Sequence, residues 1–278
     1  MLLTRYARVL AAAAFAVACA DRSPSTGPGA VAPPNAIYGG EPTGARQFAS
    51  VGALLYDFDG NGILDGDDED CTGSLISATV FLTAAHCVEF FPKNAQLHVS
   101  FAPDLYATGI TVIPATGFVF DPAYGHDNGD LHDIAVVFLP ARATRGMTPY
   151  KLPVAGYLDA ISAKGALSKA TFYNVGYGTG NTATGVPGFP YDGVRKVSVS
   201  RFGALQPTWL QLLMNTNATG TGGDCYGDSG GPKFLTTDPT TVLATVTTGD
   251  YVCRATTKDY RLDTPSARAF LGQFVALP

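Results

Sequence analysis

From Ile37 to the C-terminus, the sequence is a succession of short runs rich in β-branched and aromatic residues. Clusters of Gly, Pro, Asn and Asp separate these runs, which include VGALLY, SLISATVFLTA, QLHVSF, IAVVFL, TFYNVGYG, VRKVSVS and TVLATVTTG. Short runs with turn residues between them are typical of antiparallel sandwiches and barrels. The sequence therefore predicts an all-β domain over residues 37–278.

One helix is predicted, at the C-terminus. Thr264 can cap it, Pro265 suits its first turn, and Phe270, Phe274 and Val275 recur at helical spacing. Apolar residues make up 46% of the 278 residues, which is ample for a buried core. The domain therefore needs no metal or cofactor merely to hold its fold.

The N-terminal part has a different composition. Two arginines precede the apolar run 9–18, which has the length of a signal-peptide core and is too short to span a bilayer. Residues 1–20 are predicted to be a signal peptide, and the Pro-, Gly- and Ser-rich residues 21–36 a flexible tether or pro-segment. Two interpretations stay open: a cleavage site around Cys19, or a lipobox whose Cys19 is lipidated. The mature domain is expected to be secreted, periplasmic or at the cell surface.

The charge of the chain excludes one class of partner. Acidic residues outnumber basic ones by 23 to 18, which gives a formal net charge of −5. Nucleic acid is therefore not an expected partner, and a membrane is expected only through a lipid at Cys19. Seven of the acidic residues lie between Asp57 and Asp70, so the acidity is local.

Five cysteines in an exported chain leave one unpaired. If Cys19 is lipidated or removed, four cysteines remain, enough for two disulfides. Counting alone allows three pairings among these four. They are Cys71, Cys87, Cys225 and Cys253.

Ser229 is the candidate nucleophile. It lies in the run Gly227-Asp228-Ser229-Gly230-Gly231-Pro232, where glycines permit close backbone approach and leave N–H groups free for a developing oxyanion. Such a run also occurs as an ordinary β-turn. A serine hydroxyl needs a nearby histidine as base, and the histidine needs a third group to orient it.

The positions of the histidines relative to Ser229 argue against one fold class, and the local sequence makes His86 the candidate base. Gly227-x-Ser229-x-Gly231 matches the nucleophile elbow of α/β-hydrolases, but that fold requires a histidine after the serine, and all four histidines precede Ser229. His86 follows a strand-like run in the segment FLTAAHC. Asp133 begins a run apolar enough to be buried on both faces, where a carboxylate needs a strong hydrogen-bond partner such as His86. The alternatives are a core histidine and a turn aspartate.

These motifs together resemble the trypsin-like serine proteases of the chymotrypsin fold, specifically their bacterial secreted branch. The resemblance runs from Ile37 to the end of the chain. It rests on the start Ile37-Tyr38-Gly39-Gly40, the TAAHC box at 83–87, Asp133-Ile134-Ala135, the box at 227–232 and the terminal helix.

The resemblance implies two six-stranded antiparallel β-barrels with the active site between them. It makes His86 the general base and acid, Asp133 the residue that orients it, and Ser229 the nucleophile that forms an acyl-enzyme. The N–H groups of Gly227 and Ser229 would form the oxyanion hole. It also implies protein or peptide substrates, a monomer and no cofactor for catalysis. By the same resemblance, Cys71 pairs with Cys87, and Cys225 with Cys253.

The primary specificity pocket departs from that of trypsin. Trypsin has an aspartate at its base where this chain has Gly223, so cleavage after Arg or Lys is not implied. Asp224 is adjacent and could favour a basic side chain, unless Lys258 offsets its charge. The segment that lines the pocket and pairs with substrate backbone is matched by Thr247, Thr248 and Gly249.

The resemblance also predicts a zymogen. Cleavage after Ala36 would free the amino group of Ile37, which would be buried against Asp228 and so form the oxyanion hole. Tyr38 stands where a small aliphatic residue is usual. Two alternatives remain: a protein active without processing, and a protease homologue without catalytic activity that uses the same barrels for binding.

The acidic stretch predicts a structural Ca²⁺ site. Its spacing is that of an EF-hand loop, with Gly62 at the sharp turn and an Asp where the last position usually has Glu. No helices are predicted around it, and a solvated acidic turn is the alternative. The predicted ligands are Asp57, Asp59, Asn61, Ile63 through its carbonyl, Asp65 and Asp68.

Overall fold

The structure is a computed structural model, and it describes Ile37, residues 39–180 and residues 188–278. The predicted signal peptide 1–20, the tether 21–36, Cys19 and Tyr38 lie outside the described residues. No helix in the described part of the chain is long and apolar enough to cross a membrane.

Fourteen strands in the described residues form two antiparallel sheets of seven strands each. In chain order they are β1 (Glu41–Pro42), β2 (Val51–Leu55), β3 (Glu69–Ser77), β4 (Val80–Thr83), β5 (His98–Ser100), β6 (Val112–Pro114), β7 (Gly117–Phe120), β8 (Ala135–Phe138), β9 (Thr171–Gly176), β10 (Lys196–Leu205), β11 (Trp209–Leu213), β12 (Pro232–Leu235), β13 (Ala244–Gly249) and β14 (Thr256–Arg261).

The first barrel closes through a bent strand. Its order is β6-β5-β2-β3-β4-β8-β7, and β6 and β7 are two halves of one strand interrupted at Ala115 and Thr116. Ala115 N donates to Leu97 O at 2.8 Å and Thr116 N donates to Phe138 O at 2.8 Å. One half thus continues towards β5 and the other towards β8. Counted as one, the bent strand makes this a six-stranded barrel.

The second barrel closes by direct pairing. Its order is β10-β11-β14-β13-β12-β9, and β9 pairs again with β10 along six residues. The two-residue β1 adds a short edge to β10. The prediction of two six-stranded antiparallel β-barrels is therefore confirmed.

The core shows why β4 and β8 are apolar throughout. Phe81 and Val137 pack into the interior of the first barrel. Their neighbours Leu82 and Val136 point the other way and pack with Phe234 and other residues of the second barrel. Because successive side chains of a strand alternate in direction, both faces of these strands are buried. β4 and β8 therefore lie where the two barrels pack against each other, and so do the residues next to these strands in the chain.

The terminal helix α3 (Pro265–Leu271) is confirmed, and Thr264 Oγ1 caps it by accepting from Ala267 N at 3.3 Å. It ends before Phe274 and Val275, which pack on the core as partly buried residues beyond its last turn.

The prediction of a single helix was wrong, because α1 (Tyr157–Ala163) and α2 (Thr216–Thr219) are also present. α1 is too short to show periodicity, and its stability depends on a distant residue: Asp263 Oδ2 accepts from Leu158 N at 2.7 Å.

Candidate active site

His86 and Asp133 meet because β4 and β8 are paired. β4 ends at Thr83 and a 3₁₀ turn over Ala85–Cys87 presents His86, while Asp133 lies just before β8. Asp133 Oδ2 lies 2.8 Å from His86 Nδ1, and Asp133 Oδ1 accepts from the backbone N–H of His86 at 3.0 Å. The two contacts fix the imidazole ring and leave Nε2 for another partner.

The electrostatics around this pair favour a protonated imidazole. Burial acts to lower the pKa of His86, but the hydrogen bond and charge of Asp133, together with the carboxylates of Asp70 and Glu89, raise it above its usual value. Burial also raises the pKa of Asp70 to about 6, although the nearby His86 acts in the opposite direction. The site is therefore arranged to stabilise positive charge on His86.

The Ser229 loop belongs to the second barrel but packs against the first. Gly227 and Gly230 flank Ser229 with φ values of 93° and 75°, which favour glycine. A Cβ on Gly230 would lie only 2.2 Å from Thr83 Oγ1 and 2.8 Å from Ala84 N. Ser229 O also accepts from Thr72 N at 2.9 Å. The loop is therefore seated directly beside the turn that carries His86.

Asp228, the residue before Ser229, holds this loop in place through two hydrogen bonds. It is fully buried, its Oδ1 accepts from Gly178 N at 2.9 Å and its Oδ2 accepts from Cys225 N at 2.8 Å. Burial, and next the charge of Asp224, raise the pKa of Asp228 to about 8, although the two N–H groups and the nearby Lys233 act to lower it.

Ile37 is fully buried and is hydrogen-bonded to Gly178, the same residue that binds Asp228. The backbone N–H of Ile37 donates to Gly178 O at 3.3 Å, and the N–H of Gly178 donates to Asp228 Oδ1. Both predicted activation residues therefore bind Gly178, Ile37 at its carbonyl oxygen and Asp228 at its N–H group.

A cavity of about 410 Å³ opens beside Ser229. Four of the five residues predicted to bind substrate line it: Asp224, Thr247, Thr248 and Gly249. Gly223 is the exception among the described residues, because it packs against Met214, where a Cβ would lie 2.3 Å from Sδ. The cavity is thus built from the segment 224–229, the end of β13 and the turn that follows it.

The cation that balances Asp224 is Lys233, and the suggestion that Lys258 does so was wrong. Lys258 extends over the ring of Trp209, with Nζ 5.7 Å from the ring centroid. Alternation along β14 explains this, since the neighbouring Asp259 points inward and is fully buried. Sequence reasoning missed Lys233, although a lysine directly after Pro232 in the strand PKFL is a charge at the start of a buried strand.

Both predicted disulfides are present, Cys71–Cys87 next to His86 and Cys225–Cys253 beside the cavity. The first disulfide joins β3 to the turn that carries His86, and the second joins the segment before Ser229 to the turn after β13. All four cysteines are buried. The pairing that the resemblance implied is therefore confirmed.

Replacing Cys71 and Cys87 together by Ser is expected to lower the free energy of unfolding by about 3 kcal/mol, the usual effect of closing a loop of about this size. The closed loop spans a sequence separation of 16 residues. Urea unfolding followed by far-ultraviolet circular dichroism would measure the change. An unchanged midpoint and slope would contradict the expectation.

Three of the six predicted calcium ligands converge in the acidic loop. Carboxylate oxygens of Asp57, Asp59 and Asp68 lie within 4.8 Å of one another. Burial, followed by the charges of Asp59 and Asp57, raises the pKa of Asp68, and hydrogen bonds from the N–H groups of Phe58 and Asp65 act to lower it.

The other predicted ligands are engaged in hydrogen bonds within the loop. Asn61 Nδ2 donates to Asp59 Oδ2 at 2.7 Å, and Asn61 Oδ1 accepts from Ile63 N at 2.5 Å. Asp65 lies outside the group of three and caps a 3₁₀ turn by accepting from Asp67 N at 2.9 Å.

Comparison with known proteins finds matches over the two barrels. Residues 37–270 match the family model described as Trypsin. Two relatives called Trypsin alpha, from Drosophila melanogaster and Drosophila erecta, are each 29% identical over 167 residues. That match covers 58% of this chain and 62% of each relative, so it spans less than two thirds of the length of these relatives.

Solved structures share the fold at low identity. Human heparin binding protein matches with a TM-score of 0.61 and 16% identity, over 86% of this chain and 96% of that one. The Vibrio cholerae VesB protease matches with a TM-score of 0.62 and 18% identity, over 85% and 67% of the two chains.

Proposed function

Because the chain belongs to the Trypsin family, we propose that it is a serine endopeptidase that hydrolyses peptide bonds through an acyl-enzyme. The observation that carries this proposal is the pair of a half-buried His86 and a fully buried Asp133, seated beside the Ser229 loop. The relatives and solved structures with this fold include enzymes named trypsin and protease.

The proposed mechanism assigns one task to each side chain. His86 Nε2 takes the proton of Ser229 Oγ as the hydroxyl attacks the substrate carbonyl, and later returns it to the leaving amine. Asp133 holds the ring through Nδ1 and stabilises the imidazolium. The N–H groups of Gly227 and Ser229 bind the oxyanion. Water then attacks the acyl-enzyme with His86 again as base, and no cofactor takes part in these steps.

The substrates are proteins or peptides, in this proposal. Thr247, Thr248 and Gly249 form the end of β13 beside the cavity, where they would pair with substrate backbone, while the cavity takes the side chain before the scissile bond. Hydrolysis of labelled casein by a chain that begins at Ile37, and its loss in Ser229→Ala, would test the assignment. A folded protein without any hydrolytic activity would instead support a binding module.

We also propose that the protein is exported. The two disulfides support an extracellular location, with residues 1–20 as signal peptide, 21–36 as tether and Cys19 either lipidated or removed. The bacterial secreted branch and a monomeric state remain part of the proposal. The mass of the natural N-terminal peptide distinguishes a lipidated Cys19 from a removed one.

We further propose that the loop 57–68 holds a structural Ca²⁺ through Asp57, Asp59 and Asp68. Three carboxylates this close repel one another unless a cation is near, and a divalent ion with oxygen ligands suits them. Because the loop leads into β3 and Cys71, which pairs next to His86, bound Ca²⁺ would rigidify one edge of the site.

Calcium is expected to raise the melting temperature of the Ser229→Ala protein, which cannot digest itself. At about 100 times the dissociation constant the gain is about 2.7 kcal/mol, or roughly 5–10 °C for a domain of this size. Asp57→Asn with Asp59→Asn should lose the shift. Asp67→Asn, in the same loop but outside the group of three, should keep it. No shift in the parent protein would leave the loop as an acidic turn.

A further inference from the structure

A buried cation contacts Asp224, one of the residues that line the cavity beside Ser229. Lys233 on β12 is fully buried, and its Nζ contacts Asp224 Oδ2 and lies 3.6 Å from Asp259 Oδ1. Asp259 is also fully buried, and its Oδ2 accepts from Thr257 Oγ1 at 2.8 Å. A buried ammonium group is tolerated only where carboxylates and hydrogen bonds compensate it. The three charged side chains therefore act as one unit, the Asp224–Lys233–Asp259 cluster.

Within the cluster, Lys233 compensates the negative charge of Asp224. Lys233 contacts it directly, so the carboxylate that borders the cavity is already paired. Burial raises the pKa of Asp259 to about 7, although the charge of Lys233 acts to lower it and that of Asp224 to raise it. With one lysine against two carboxylates, the cluster carries less negative charge than its carboxylates alone.

The cavity walls favour uncharged groups. Val246, Tyr226 and Tyr251 line it together with the threonines of β13. Two carboxylates also line it: Asp224 contacts Lys233, and Asp250 accepts from the backbone N–H groups of Arg254, Ala255 and Thr256. A guanidinium or ammonium group entering the cavity would lose its hydration and find the carboxylate of Asp224 already paired with Lys233, so its burial would be poorly compensated. A large uncharged side chain would lose only its contact with water, which is favourable.

We propose that this pocket selects peptides with a large uncharged side chain, aromatic or aliphatic, before the scissile bond, and that Lys233 determines the choice by neutralising Asp224. The proposal rests on the proposed protease function and specifies its substrate class. It gives Lys233 a role in selectivity and none in the chemical steps.

The first test needs only the native sequence. Peptide substrates that differ solely in the residue before the scissile bond are compared by kcat/KM, with Tyr, Leu, Arg, Lys and Asp at that position. Tyr and Leu are expected to exceed Arg, Lys and Asp by about tenfold or more. A preference for Arg or Lys would overturn the proposal, even though hydrolysis itself would support the protease function.

A set of variants then tests the part played by Lys233. Lys233→Met with Asp259→Asn removes one positive and one negative charge, so the formal charge of the cluster is unchanged while Asp224 loses its partner. The ratio of kcat/KM for Arg over Tyr is expected to rise by about tenfold or more. Lys233→Arg keeps the charge and should keep the native ratio, as should Lys258→Met, whose lysine lies over Trp209.

Active-site titration with a fluorophosphonate distinguishes a failure of the selectivity proposal from a failure of the proposed protease function. Variants that fold by circular dichroism and react fully with the probe, but keep the native ratio for Arg over Tyr, would show that Lys233 does not determine selectivity. A folded native chain that neither reacts nor cleaves any of the five peptides would refute the protease function instead.

Discussion

Replacing Ser229 by Ala, or His86 by Ala, is expected to lower kcat for peptide hydrolysis by about 10⁴- to 10⁶-fold, because members of a catalytic triad act as a unit. The double variant should be no less active than either single one, since the remaining rate comes from substrate binding and the oxyanion hole. Asp133→Asn is expected to cost about 10⁴-fold, because the amide would hold the imidazole in the wrong tautomer.

The matched control for these variants is His126→Ala. His126 lies in an exposed loop that follows Asp121 and precedes Asp133, so its loss should leave kcat within a few fold of the native value. Initial rates on one peptide substrate, at saturating and limiting concentrations, give kcat and KM for each protein. Residual kcat within tenfold of native in Ser229→Ala or His86→Ala would refute the triad.

A chain that begins at Ile37 is expected to be about 10²- to 10³-fold more active than one that retains Asn35 and Ala36, which is the usual cost of a lost oxyanion-hole donor. In the chain with residues before Ile37, burial and next the charge of Asp224 raise the pKa of Asp228, so the charged carboxylate is disfavoured there. A free Ile37 ammonium group would lie beside Gly178, whose N–H binds Asp228, and would favour the ionised Asp228 carboxylate. That ion pair would fix the Gly227 and Ser229 N–H groups.

Asp228→Asn in the chain that begins at Ile37 is the partner experiment. It should lose activity to a similar extent, because the amide cannot pair with the ammonium group. Acetylation of the Ile37 amine should do the same without changing any side chain. Equal activity in the long and short chains, measured by kcat/KM on one substrate after active-site titration, would mean that the protein needs no processing.

Much of this site follows from local sequence, and the reasons are physical. Asp133 is predictable because a carboxylate at the start of a strand buried on both faces must have a partner, and His86 arrives from the strand paired with it. The bent strand at Ala115 is not predictable in this way, because nothing in its own residues requires it to join β5 to β8.

Contacts between distant segments account for what the sequence alone did not reveal. Lys233 meets Asp259 across β12, β13 and β14, so only the closed barrel brings them together. α1 likewise forms where Asp263, more than a hundred residues away, accepts from its first turn. In the acidic loop the spacing did predict the convergence of Asp57, Asp59 and Asp68, because those positions are close in a tight turn, whereas Asp65 serves as a cap.

Reaction with a fluorophosphonate shows whether Ser229 is an activated nucleophile. The chain that begins at Ile37 is treated with the probe, and intact-mass and peptide mass spectrometry locate the adduct. One adduct per chain is expected, on Ser229; it should be absent in Ser229→Ala and form far more slowly in His86→Ala. A correctly folded chain that stays unlabelled would show that Ser229 is not an activated nucleophile and would favour a protease homologue that only binds.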